Sequence, residues 1–250
     1  MVSNCYATGD VIGGGRVGGL VGEANNCVIS NCYATGDVMG ANDTGFIGGF
    51  GGLTGIVVNG ATIENSYAAG AVYELAGENS WQGAGGISGL NYAPLIITNS
   101  VALNPTVAGV SASVEGRIWG YGNTTASGNL AINSMLNGLY TTDWLIIGAD
   151  QKDGESKSES ELKTDATYKA LGWNFDTTWG MGENGYPVLR TTPVYTGISK
   201  PTIDVSNENV VATEYYNLQG VRVAQPQHGS IYIVRAIFES GKNKVSKVIF

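Results

Sequence analysis

The sequence predicts an all-β fold: a parallel β-helix, or β-solenoid, of about four to five coils, closed by a short helical and aromatic cap and followed by a small antiparallel β-sandwich. Three observations carry this. An eight-residue motif recurs along the first half of the chain. A glycine-rich motif follows each of its first four copies. Between them, residues 1–150 offer short apolar runs separated by Gly and Asn, with no helical periodicity of useful length.

The first motif is Asn4-Cys5-Tyr6-Ala7-Thr8-Gly9-Asp10-Val11. It recurs unchanged at Asn31–Val38, altered at Asn65–Val72, and eroded at Asn99–Asn104 and Asn129–Asn133. Counted from the asparagine, the intervals are 27, 34, 34 and 30 residues. A period of that size is the signature of a repeat architecture. The second motif reads Gly18–Gly22, Gly48–Gly52, Gly85–Gly89 and Gly116–Gly120. Fixed motifs with variable gaps indicate loops leaving a regular scaffold. Each repeat has room for about three short strands, which suits one coil stacked on the next at about 4.8 Å.

Strand parity assigns the faces. Cys5, Cys32, Ser66 and Ser100 form an inward column of small residues, beside Ala7, Ala34, Ala68 and Ala102. Leu20, Phe50, Ile87 and Ile118 form a larger apolar stack. Tyr6, Tyr33 and Tyr67 then point outward as a ladder. Asn4, Asn31, Asn65 and Asn99 precede the strand at a bend, where an asparagine can hydrogen-bond backbone groups. Three cysteines, Cys5, Cys27 and Cys32, are no disulfide framework and too few ligands for a metal.

Residues 156–190 differ. Ser156–Leu171 is the one helix-like stretch, with Ser158 or Ser160 and then Thr164 as caps and Gly172 as terminator. Trp173, Phe175, Trp179 and Tyr186 follow. Because a coil stack leaves an open end, this segment is expected to cap it, giving a first domain over 1–190. Residues 191–200 read as a linker. Residues 201–250 hold alternating strands broken by turn signals, the expected sandwich.

The paired motifs resemble GLUG-motif repeats, and Leu171–Phe175, Trp179 and Tyr186–Leu189 resemble the end of such arrays. That resemblance implies secreted or surface bacterial proteins, adhesin-like or attached to extracellular peptidases, without implying one activity. The tail, Tyr215–Val223, Gly229–Arg235 and Lys244–Phe250, is similar to C-terminal type IX secretion sorting domains, which implies export and surface attachment.

Charge narrows the partners. The net charge is −8, and residues 1–150 hold ten acids against two bases, Arg16 and Arg117. Nucleic acid is therefore not an expected partner. No apolar run reaches the roughly 18 residues of a membrane span. Met1-Val2-Ser3 leads straight into a repeat, so no signal peptide is read and a natural N-terminal part is expected to be missing.

Catalytic signals are sparse. Gly13-x-Gly15-x-x-Gly18 matches a dinucleotide fingerprint only formally, since no helix follows. His228 is the sole histidine and lies in the tail, which excludes the usual Ser/His/Asp site in the repeats. Asn42 and Asn123 open glycosylation sequons, discounted in a bacterial chain. Asp10 and Asp37 occupy equivalent positions and read as two solvated acids, with a calcium site as the sharper alternative; no cofactor is expected. A β-helix lyase or glycosidase needs a carboxylate pair or a base with calcium-binding acids. The remaining signal is aromatic: Tyr6, Tyr33, Tyr67, Trp81, Tyr92, Trp119 and Tyr121 are the candidate contacts for a glycan or protein ligand, unless they only pack loops on the rod. The expected role is a non-enzymatic, adhesin-like protein outside the cell or on its surface, displaying loops on the solenoid. Its rivals are a polysaccharide-active β-helix enzyme and a plain stalk.

Overall fold

The computed structural model describes residues 1–41, 48–75, 82–190, 210–216, 222–224, 231–239 and 243–249. The chain divides into two compact units, Met1–Thr191 and Thr192–Phe250.

The first unit is a parallel β-solenoid. Each coil contributes a strand to each of four sheets, one more than the three expected. A long sheet takes Val2–Ser3, Val21–Ser30, Thr54–Glu64, Ser88–Thr98 and Trp119–Ser127 in chain order. A tyrosine sheet takes Tyr6–Ala7, Tyr33–Ala34, Tyr67–Ala68, Val101–Ala102, Leu130–Ile132 and Glu155–Lys157. A valine sheet (Val11–Gly13, Val38–Ala41, Val72–Leu75, Val107–Ala108) and a glycine sheet (Arg16–Gly18, Gly48–Gly51, Gln82–Gly85, Glu115–Gly116) complete the circuit.

Like residues stack in register. Ala7 pairs with Ala34, then Ala68, Ala102 and Ala131; Val11 pairs with Val38, Val72 and Val107. Cys32, Ser66 and Ser100 are fully buried, as the inward column requires, and Cys5 on the first coil is exposed. The column is also a hydrogen-bond ladder. Ser66 Oγ accepts from Cys32 N (3.0 Å), Ser100 Oγ from Ser66 N (3.4 Å), and Asn129 Oδ1 from Ser100 N (3.0 Å). Small polar side chains thus satisfy backbone donors that a narrow coil keeps from water.

Two motif alignments shift. Leu130 pairs with Val101, so Asn129 stands in the serine column, and Gly128 takes the asparagine place. The reason is backbone conformation. Asn4, Asn31, Asn65 and Asn99 have φ of 52°, 50°, 47° and 50°, and Gly128 has φ of 66°. The bend demands a left-handed residue, which Asn tolerates and Gly adopts freely. The second glycine motif is likewise Gly51–Gly55, because Gly18 pairs with Gly51 and Val21 with Thr54. The apolar stack is therefore Leu20, Leu53, Ile87 and Ile118. Phe50 instead pairs with Val17 and Ala84. These glycines let the glycine sheet lie against the start of the long sheet: a Cβ on Gly51 would come 2.1 Å from Thr54 O, and one on Gly89 2.3 Å from Phe50 N.

The cap has the expected helices and aromatic rings but not the expected place. Residues 156–190 do not seal the end of the stack. Glu155–Lys157 adds the last strand of the tyrosine sheet, and the residues after it fold back along the side of the stack so that Trp173 and Trp179 cover Tyr33 and Tyr67. Ser158 caps the helix Glu159–Leu162 with a reciprocal Glu161 contact, and Gly172 (φ 85°) follows the helix Asp165–Ala170. The chain from 133 to 154 finishes the last coil instead: Val107 N donates to Leu136 O (2.9 Å) and Ile118 N to Lys152 O (3.1 Å). Arg117 takes the position of Gly52 and Gly86. Its buried guanidinium donates to Ile132 O (3.3 Å), Gly154 O (3.1 Å) and Ser156 Oγ (2.9 Å).

In the second unit the described residues form one four-stranded antiparallel sheet, in the order Arg222–Val223, Val210–Tyr216, Ile231–Phe238, Asn243–Ile249. A second sheet, needed for a sandwich, is not among them. Residues 201–209, which open the expected sandwich, and His228 lie outside the described residues.

Candidate functional site

The tyrosine ladder exists, but it is not a display surface. Tyr6, Tyr33 and Tyr67 stack with centroids 5.0 and 4.9 Å apart and planes within 8°, the spacing of adjacent strands. Tyr33 and Tyr67 are buried; only Tyr6 keeps much exposure. The covering rings are Trp173 and Trp179, with centroids 6.4 and 6.2 Å from Tyr67. Their indole N–H groups reach the asparagine bends: Trp179 Nε1 donates to Asn31 Oδ1 (3.2 Å) and Trp173 Nε1 to Asn99 O (2.7 Å). Tyr67 Oη donates to Pro187 O (2.8 Å), and burial pushes its hydroxyl pKa well up. Outward parity was read correctly. The covering segment then converted an outer face into a second core.

Tyr92 and Tyr121 are the nominated rings that do face solvent, at 44% and 45% exposure. They stand on paired strands of the long sheet. Tyr121 is in register with Leu90, and Tyr92 follows where the pairing of the two strands shifts, between Asn91 and Leu95. Ile96 is exposed on this sheet opposite Thr125, and exposed Asn123 lies nearby in sequence. Trp119 is half-buried against the core. Trp81 lies outside the described residues.

Arg16 and Glu23 of the coils pair with each other, and other ionisable residues serve the backbone. Asp10 Oδ1 accepts from Asp37 N (2.8 Å), and Asp37 Oδ1 from Ala71 N (2.8 Å). Each aspartate thus ties its coil to the next, where the sequence reading had two solvated acids. Among the described residues no group of three or more His, Cys, Asp or Glu gathers as a metal site. Glu115 Oε2 accepts from Gly109 N and Gly138 N (both 3.0 Å), and Glu74 Oε2 from Val110 N (3.1 Å). Burial, with the nearby Glu115 charge, pushes the Glu74 carboxyl up to about 7. Arg117 is spent on internal acceptors. Burial pushes the Cys32 thiol up to about 11, which removes it as a nucleophile at neutral pH.

One feature the sequence reading missed is a cavity of about 310 Å³ beside the final coil, bounded by Glu115, Trp144, Ile146 and Lys152. Most of its walls come from 137–153, which carries no repeat motif and so gave no periodic signal.

With this geometry in place, the comparisons are specific. The family model described as the GLUG motif matches residues 13–39, the span from the first glycine motif through Asn31–Val38. A comparison with curated proteins gave no match. Among solved structures, the chain is similar to a Bacteroides ovatus protein provisionally described as an immunoglobulin A1 protease. The two are 33% identical with a TM-score of 0.62, over 75% of this chain and 57% of that one. The chain thus spans a little over half the length of that protein. The first unit is therefore a parallel β-solenoid in which residues 13–39 match the GLUG motif.

Proposed function

We propose that this protein is a secreted or surface-exposed, adhesin-like bacterial protein, and that the outer face of its long sheet binds a glycan or protein ligand. The observation that carries the reading is the pair Tyr92 and Tyr121, two half-open rings on adjacent strands of one sheet, with exposed Asn123 and Thr125 following Tyr121. Aromatic faces flanked by amide and hydroxyl groups suit sugar rings, and rings fixed on a sheet lose little entropy on binding. The second unit, by its sequence similarity to type IX sorting domains, serves export and attachment. The polar residues of the coils support a non-enzymatic role, since Asp10, Asp37, Glu115 and Arg117 are committed to backbone partners.

A second reading is favoured by the B. ovatus neighbour: the chain belongs to a larger protein that cleaves immunoglobulin A1. One experiment separates the two. The purified chain is applied to a glycan array and, in parallel, incubated with immunoglobulin A1. The adhesin reading expects array binding and intact heavy chain. Heavy-chain cleavage, abolished in a heat-denatured control, favours the protease.

A further inference from the structure

Five large apolar residues of one short stretch face solvent: Leu139 (77% exposed), Tyr140, Leu145 (86%), Ile146 and Ile147. Exposed apolar side chains gathered in one place mark an interaction surface rather than ordinary scatter. This stretch is also held rigid. Asn137 Oδ1 accepts from Leu139 N (3.0 Å) and Thr141 N (3.1 Å), while its Nδ2 donates to Thr141 Oγ1 (3.0 Å) and Asp143 O (3.3 Å). Tyr140 is kept at φ 58°, a left-handed conformation that a ring-bearing residue rarely adopts. The hydrogen bonds of Asn137 hold the loop at 139–143 in this conformation.

Beside them opens the 310 Å³ cavity, lined by Leu139, Trp144, Leu145 and Ile146 and reaching Glu115 and Lys152. Trp144 forms a fixed wall, because its Nε1 is anchored on Met135 O (2.9 Å). Glu115 is more than nine-tenths buried, and its Oε2 accepts from both Gly109 N and Gly138 N. Three acids line the cavity, exposed Asp143 with buried Glu115 and Asp153, against one base, Lys152, whose Nζ donates to Ser113 O (3.1 Å). The mouth is therefore apolar with an acidic surround.

We propose that this surface docks a protein partner that inserts one large apolar side chain into the cavity and flanks it with arginine or lysine. The exposed apolar side chains, the cavity beside them and the sign of its charge together select that chemistry: an anchor in a desolvated pocket, with basic neighbours meeting an acidic rim. The site is separate from the Tyr92 and Tyr121 face, and it stands whether or not that face binds glycans.

The test uses the full ¹⁵N-labelled chain and three acetylated pentapeptides: a central leucine flanked by arginines, the same flanked by glutamates, and a central serine flanked by arginines. The indole N–H of Trp144 is assigned with Trp144→Phe. The Arg-Leu-Arg peptide is expected to shift the Trp144 indole and the Leu139–Ile147 amides. The Glu-Leu-Glu and Arg-Ser-Arg peptides bind at least tenfold more weakly. Leu139→Asp and Leu145→Asp, both at highly exposed positions, keep the wild-type melting temperature and weaken the first peptide at least tenfold. Equal binding of all three peptides, or no shift with any of them, overturns the proposal. So does a concentration-dependent dimer that both aspartate variants disperse, which would make the occupant a second copy.

Discussion

Tyr33 and Tyr67 stack face to face, with centroids 4.9 Å apart and planes 5° from parallel, and Trp179 lies across both at 6.2 Å. One contact thus joins coil to coil and the coils to the covering segment. Tyr67→Ala removes a buried ring from this junction and is expected to cost about 3–5 kcal/mol. Tyr67→Phe removes only the bond to Pro187 O and is expected to cost about 1 kcal/mol. Denaturant unfolding of both variants gives the comparison.

The end of the stack rests on Arg117. Arg117→Ala strips partners from Ile132 O, Gly154 O and Ser156 Oγ in a buried place, at an expected cost of about 3 kcal/mol. Arg117→Lys should recover only part of it, because an ammonium lacks the planar fork that reaches separate acceptors. Thermal unfolding of the two variants ranks them.

At the asparagine bends conformation should outweigh chemistry. Asn65→Gly is expected to fall within a few tenths of a kcal/mol of the parent, since Gly128 already occupies the equivalent place. Asn65→Val, β-branched at φ 47°, should cost about 2 kcal/mol. The same unfolding assay decides it.

The repeat was legible because a coil stack writes its period directly into the chain. Asn31–Val38 duplicates Asn4–Val11, and the inward small column followed from parity alone. What was hidden came from partners distant in sequence. Nothing local to Tyr33 says that Trp179 covers it. Copy boundaries slipped where composition masked register: Gly48-Gly49 resembles Gly18-Gly19, yet the next coil is aligned by Gly51-Gly52. Asn129 slipped because a glycine can take the asparagine place. In the candidate site, Tyr92 and Tyr121 were nominated correctly as exposed rings, whereas the cavity near Trp144 lies in a stretch without periodicity.

Stability should also depend on pH through Glu74. Its folded carboxyl is raised from 4.5 to about 7 by burial and by Glu115. The native state therefore holds a proton that the unfolded chain has released. That contribution is complete below about pH 4.5 and is lost as pH rises through 7, on the order of 3 kcal/mol in all. The difference in stability between Glu74→Gln and the parent, followed from pH 4.5 to 8, should grow in favour of the variant across this window. A flat difference would mean Glu74 titrates normally.

The central claim is that Tyr92 and Tyr121 are there to bind, whereas Tyr33 and Tyr67 are there to hold the rod together. Measuring ligand binding and melting temperature on the Tyr92→Ala/Tyr121→Ala double variant tests it most directly, using the strongest glycan from the array. The account predicts an unchanged melting temperature and at least a tenfold loss of affinity. Undiminished binding by a folded double variant would contradict it.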